Sequence, residues 1–314
     1  MLLVTGATGR VGHRVVRALV ARGARVRALV RDPHQGAKIV GTDVELAVGD
    51  FLQPDTLERA LDGVEGALLI APRSMQQVRS QAAFIDAAAR TRLPRLALLS
   101  MIGADPNSPS PIAYWHAMAE QRIAASRLPC TILRPNVPMQ TLLSFAADVR
   151  SDGLLRIPAG DGRAALIDEE DIAAAAASVL VASHHVGSSY TLTGPAALGF
   201  EEIAAELGAA SGRSIAYAPI TPADLKPRAQ EWSLSGHYAD AIVAVWRAIA
   251  CGRYEGVTGD VELLTQRPAK SFRIFASENA VLFRGDAPNN LLSAAKYAPA
   301  ACLAAVAASI VGQV

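Results

Sequence analysis

The chain has 314 residues, 51% hydrophobic and 19% charged, which suits two lobes or one large domain with a sizeable core. Basic residues (30) and acidic residues (29) nearly balance and are interspersed; without a basic run or stripe, nucleic acid is not expected as a partner. Cys130, Cys251 and Cys302 form no CxxC pair, no secretory leader precedes the first apolar run, and the longest apolar tract, 298–311, falls short of the ~20 residues of a membrane span, so a reduced, cytoplasmic protein without membrane contact is expected.

Residues 1–5 (MLLVT) read as a buried strand, and 10–23 (RVGHRVVRALVARG) as a helix with Val11, Val15, Leu19 and Val20 on one face. Between them lies a GxxGxxG turn. Gly6 permits the tight turn, Gly9 lets the backbone approach phosphates, and Gly12 lets helix and strand pack closely. A dinucleotide pyrophosphate would rest on backbone N–H groups at the positive end of the helix dipole. Gly6, Thr8, Gly9, Arg10, Val11 and Gly12 are therefore candidate cofactor contacts. The next strand, 24–30 (ARVRALV), ends in Arg31-Asp32-Pro33. The guanidinium of Arg31 suits the 2′-phosphate of NADP, whereas Asp32 could still face the ribose hydroxyl of NAD; NADP (NADPH) is the preferred cofactor. Arg10 is a second candidate for the same phosphate, or else a solvated surface charge.

Strand and helix continue to alternate, the pattern of a doubly wound parallel sheet of Rossmann type in an α/β protein. Strands are expected at 44–51, 65–72, 95–101 and 129–135, and helices at 54–64, 76–92 and 111–126. Ligands of such sheets bind beyond the C-terminal strand ends. That rule nominates Asp50, Phe51, Ala71 and Pro72 near the adenosine, and Ser100, Pro135 and Asn136 toward the nicotinamide; the bland alternative is ordinary strand-to-loop chemistry. From 139 the alternation loosens: a turn and helix at 166–182, a strand at 188–193, a helix at 200–211, a strand at 214–219 and short helices at 260–264 and 271–280. These pieces suggest domains of 1–138 (cofactor core) and 139–285 (a smaller α+β substrate lobe covering the cofactor's reactive end). The Ala-rich tail, 286–314, is a docked helix, an oligomer contact or mobile, and a monomer or homodimer fits equally. Trp232, His237, Tyr238 and Trp246 are core or pocket lining. The adjacent pair His184-His185 poorly shares one metal, and no metal site is expected.

The segments TGATGRVG, VRDP, GDF, TILRPN, LIDEEDIA and YTLTGP together resemble the NmrA-like atypical short-chain dehydrogenases/reductases over about residues 1–280. That resemblance implies a Rossmann core, NADP(H) and a C-terminal substrate lobe. It also implies either a carbonyl, quinone or imine reductase or a redox-sensing regulator that binds cofactor without turnover. Short-chain reductases usually carry Tyr-x-x-x-Lys on the helix before the sixth strand, the Tyr protonating the developing alkoxide. Here the Lys position falls on His116 and the Tyr position on Ile112, which donates no proton. Tyr114 is a candidate acid, but two helical residues turn it by ~200° to another face. His116 either hydrogen-bonds the nicotinamide ribose or substrate, donating a proton from an ordinary pKa of ~6.5, or pairs with Glu120 one turn along. Ser100 stands where the family's carbonyl-polarising Ser lies, or merely caps the strand. Arg outnumbers Lys 26 to 4, as GC-rich bacterial codons produce. The expected function is an NADPH-dependent ketoreductase acting on a carbonyl or quinone of a small aromatic metabolite, such as a polyketide in antibiotic metabolism. A substrate hydroxyl could then supply the missing acid. The alternative is the redox-sensing regulator.

Overall fold

In the computed structural model, residues 1–41, 43–72, 74–231 and 236–285 are described. The chain runs β1 (Leu2–Val4), α1 (Arg10–Val20), β2 (Val26–Val30), α2 (Pro33–Val40), β3 (Glu45–Val48), α3 (Pro54–Leu61), β4 (Gly66–Leu69), α4 (Gln77–Arg90), β5 (Leu96–Leu99), α5 (Pro111–Ser126) and β6 (Cys130–Pro135). It continues through α6 (Ala146–Asp152), β7 (Leu154–Ile157), β8 (Arg163–Ala164), α7 (Glu169–Val181), β9 (Ser189–Leu192), β10 (Leu198–Gly199), α8 (Phe200–Ser211) and β11 (Ala216–Pro219). The last elements are α9 (Pro222–Glu231), α10 (Gly236–Ala250), α11 (Asp260–Thr265) and α12 (Phe272–Glu278). The tail 286–314 and Trp232 lie outside the described residues, as does the side chain of His237.

Two compact units result, the first made of Met1–Pro135, Glu169–Leu192 and Gly259–Pro268. Its seven-stranded sheet has the order β3-β2-β1-β4-β5-β6-β9 with every pairing parallel. Strand order reverses between β1 and β4, so their C-terminal ends flank the switch point where such sheets bind ligands. The β4 strand is buried at all four positions, as its unbroken apolar run requires of a central strand. Leu3, Leu57, Leu69, Phe84, Ile85 and Leu98 are fully buried between sheet and helices, each stabilising by roughly 1.5–3 kcal/mol relative to exposure.

The sequence reading differs from this unit in two places. The segment 188–193, assigned above to the substrate lobe, supplies β9, which extends the main sheet through Ile132↔Ser189 and Leu133↔Tyr190. With α7 and α11 it returns the chain to the first unit, so the expected boundary at 138 is replaced by three separate stretches. Helix α7 buries Ala173, Ala175, Ala176 and Ala177, and these small side chains let it lie close along α1. The second difference is α2, which went unread. Gly36 at its centre lowers helix propensity, but a Cβ there would lie 2.9 Å from Val30 Cγ1. Close approach of α2 to β2 needs that glycine.

The second unit comprises Asn136–Asp168, Thr193–Thr258 and the chain from Ala269 onward. It contains a parallel β7–β11 pair and an antiparallel β8–β10 pair. The Trp246 ring meets Phe145 edge-on at 6.0 Å and Phe200 at 5.8 Å. Tyr238 and Trp246 are buried, so these two rings are core. No described helix is long and apolar enough to cross a membrane.

Candidate cofactor and active site

The turn from β1 into α1 is shaped by backbone contact alone. Gly6 takes φ +59°, a left-handed conformation that side chains disfavour. Gly9 is the extended N-cap of α1 and brings no side-chain cap, so the first N–H groups of the helix are left for an external acceptor. A Cβ on Gly12 would sit 2.1 Å from Gly6 O, so only glycine allows the helix to start this close to the loop. Thr5 Oγ1 accepts from Ile70 N at 2.8 Å and donates to Ile70 O at 3.0 Å, tying together the β1 and β4 ends at the switch point. Thr8, Arg10 and Val11 are half-buried around the turn, and Gly9 is exposed. These residues fit a dinucleotide pyrophosphate: a bare helix N-terminus with room kept open by missing side chains.

Beyond β2, Asp32 is turned to another task. Its Oδ1 accepts from His34 N at 2.8 Å and Gln35 N at 3.2 Å, capping α2. Arg31 is exposed and has no hydrogen-bond or ion-pair partner among the described residues. One oxygen of Asp32 is thus engaged in capping α2, while the Arg31 guanidinium is left for the NADP phosphate. Arg31→Ala should weaken NADPH binding about 10- to 100-fold, since hydrogen bonds to charged groups contribute roughly 1.5–3 kcal/mol, and leave NADH unchanged. Fluorescence titration with both nucleotides checks this; equal weakening would make Arg31 structural.

Asp50 Oδ1 accepts from Leu52 N at 2.9 Å within its own turn. The ring of Phe51 lies 6.1 Å from that of Phe84 in the core. Ala71 and Pro72 stand at the end of β4, half-buried and exposed respectively. Pro135 closes β6, its carbonyl accepting from Ile102 N at 3.0 Å. Asn136 begins the second unit, where Nδ2 donates to Tyr254 O at 2.9 Å and Oδ1 accepts from Val137 N at 2.7 Å. Both ends of that amide are committed inside its own unit.

Ser100 and His116 take different hydrogen-bond partners. Ser100, buried at the end of β5, donates its hydroxyl to Glu120 Oε1 at 2.6 Å. Arg134 of β6 forks onto the same carboxylate, Nε at 3.0 Å and Nη2 at 2.6 Å. The only proton Ser100 has to offer is thereby engaged. His116 is not the partner of Glu120: its Nε2 lies 3.1 Å from Nε2 of Gln77, on α4. Nδ1 of the same ring is buried with no hydrogen-bond partner among the described residues. Burial pushes its pKa down to about 4 against the opposing pull of Glu120, so the ring is neutral at physiological pH. The expectation of an ordinary histidine pKa is therefore corrected: the ring rests in its neutral form. Tyr114 is 41% exposed on another face of α5.

Gln77 and Arg134 were missed in the sequence. Arg134 stands inside the TILRPN strand and was visible as a charge in an apolar run; Gln77 gives no local signal. Among the described residues, no group of three or more His, Cys, Asp or Glu could hold a metal ion.

The glycine turn, the bare α1 terminus and the switch point define a dinucleotide-binding Rossmann protein. Residues 1–248 match the NmrA-like family, and the chain belongs to it. It is 35% identical over 283 residues to an NAD(P)H azoreductase of Xenophilus azovorans, across 90% of this chain and 99% of that one. It is 33% identical over 288 residues to a (4-alkanoyl-5-oxo-2,5-dihydrofuran-3-yl)methyl phosphate reductase of Streptomyces griseus, across 90% and 99% of the two. The crystal structure of an Escherichia coli NADPH-dependent quinone oxidoreductase complexed with NADPH superposes with a TM-score of 0.82. That likeness carries 28% identity and covers 88% of this chain and 99% of the other.

Proposed function

We propose that this protein is an NADPH-dependent oxidoreductase whose hydride acceptor is a quinone or a ketone on a small aromatic molecule of the kind polyketides carry. Bound at the glycine turn, NADPH supplies the hydride. The N–H groups at the start of α1 would hold the pyrophosphate and the exposed Arg31 would reach the 2′-phosphate, while Asp32 caps α2 through Oδ1. The relatives are named for azo, quinone and oxo-dihydrofuran substrates, which favours acceptors whose conjugation spreads the negative charge that hydride brings.

The observation that carries the choice of acceptor is the missing acid. Ile112 stands in the tyrosine position, the Ser100 hydroxyl donates its hydrogen bond to Glu120, and His116 is neutral. A substrate that forms a stabilised anion, or that brings a hydroxyl beside its carbonyl, needs no strong protein acid. Positioning against the cofactor then carries much of the rate enhancement. NADPH consumption with a naphthoquinone, an aromatic ketone bearing a neighbouring hydroxyl, and the same ketone without it is the test. Turnover should be high for the first two and at least about tenfold lower for the third, as loss of general acid assistance brings. Tight NADPH binding without consumption by any acceptor would overturn the proposal.

A further inference from the structure

One carboxylate stands where a phosphate-binding turn would be expected to exclude negative charge. Arg10, the first residue of α1, directs its Nε to Glu169 at the start of α7, 2.9 Å from Oε1 and 3.1 Å from Oε2. Arg14, one turn along α1, donates Nη1 to the Arg10 carbonyl at 2.8 Å and lies 3.5 Å from Glu169 Oε2. The Glu169 side chain is only 6% exposed and that of Arg10 26%. The carboxylate therefore grips Arg10 by the Nε edge. Nη1 and Nη2 of Arg10 have no partner among the described residues, and their N–H groups form the end-on fork that matches two oxygens of a phosphate.

We infer that Glu169 is a positioning residue for phosphate binding, holding the Arg10 guanidinium so that its Nη fork meets a phosphate of the dinucleotide at the start of α1. The inference rests on the reading of the protein as an NADPH-binding enzyme. Two opposing effects decide whether such a carboxylate helps. Its charge repels phosphate, but the two guanidiniums and the N-terminal dipole of α7 already offset that charge. Its grip removes the rotamer freedom that a long arginine would otherwise lose when the nucleotide arrives. Orientation is the larger effect here, because two guanidiniums flank Glu169 and the Nη atoms of Arg10 make no hydrogen bond among the described residues.

Equilibrium titrations of NADPH, NADH and 2′-AMP with Glu169→Ala, Glu169→Gln, Arg10→Ala and Arg10→Lys test this, alongside the melting temperature of each nucleotide-free variant. Glu169→Ala should weaken NADPH about tenfold, the lower end of what a charged hydrogen bond contributes. Glu169→Gln, which can still accept from Nε, should recover part of that affinity. Arg10→Lys should lose as much as Arg10→Ala, because one ammonium cannot serve carboxylate and phosphate together. Adding Glu169→Ala to Arg10→Ala should cost nothing further. Loss confined to NADPH and 2′-AMP assigns the fork to the 2′-phosphate; equal loss for NADH assigns it to the pyrophosphate. Unchanged or tighter NADPH binding by both Glu169 variants would overturn the inference and leave Glu169 a structural partner or a competitor. Should the unaltered protein bind none of the three nucleotides, the proposed function itself falls.

Discussion

Replacing Gly12 with alanine should abolish NADPH binding and destabilise the protein by about 3 kcal/mol or more, the upper range for forced overpacking. The added Cβ would lie 2.1 Å from Gly6 O, 2.7 Å from Gly6 C and 3.0 Å from Ala7 Cα. All three are backbone atoms, so no side chain can swing aside, and α1 must move off the turn that aims its N–H groups. Gly9→Ala is the informative control. Its Cβ would meet only Gly6 O, at 3.1 Å, which a shift of a few tenths of an ångström relieves. That variant should keep nearly all its stability and lose affinity, because the methyl group stands where the phosphate approaches. Denaturant unfolding and nucleotide titration of both variants check the pair. A Gly12→Ala protein with unaltered stability and affinity would mean that α1 does not start against Gly6.

Acidification should produce the second large effect. Burial pushes the pKa of His13 down to about 4, with Arg14 and Arg17 adding to the fall, and burial does the same for His116. Both pKa values are depressed in the folded chain, so the unfolded chain binds protons first. Their contribution is fully present above pH ~6.5 and is lost as pH falls from there toward 4. At about 1.4 kcal/mol per pH step, the loss from the deeply buried His116 approaches roughly 3 kcal/mol, with a smaller, solvent-screened share from His13, a sizeable part of the stability of many domains. Urea unfolding at pH 7 and pH 4.5 measures it. His13→Gln and His116→Gln should each flatten part of the slope, and a flat profile in the unaltered protein would contradict the burial of both rings as neutral groups.

What the sequence disclosed follows from how local each signal is. Gly6, Gly9 and Gly12 sit within one turn between an apolar run and an amphipathic helix, so the shape of that turn was readable from its residues. Asp32-Pro33 is an equally local helix-start signal that marks the beginning of α2. Partners that meet across elements left no such trace. Spacing alone pairs His116 with Glu120, yet Glu120 is taken by Ser100 and Arg134 from two strands, and His116 by Gln77 from a neighbouring helix. The same limit hid Glu169, which is 159 residues from Arg10. It also hid β9, whose short polar run SYTL reads as a stray strand until β6 is found beside it.

Hydride transfer itself is best tested by a single turnover without oxygen. The protein would be loaded with NADPH and mixed with a stoichiometric naphthoquinone, once with ordinary and once with C4-deuterated nucleotide. The absorbance of the bound NADPH should vanish in proportion to the quinone added, far faster than without protein and more slowly with the deuterated form. If bound NADPH instead persists at the protein-free rate, with this quinone and with the hydroxyl-bearing ketone alike, the chain holds the nucleotide without using it and is not the reductase proposed.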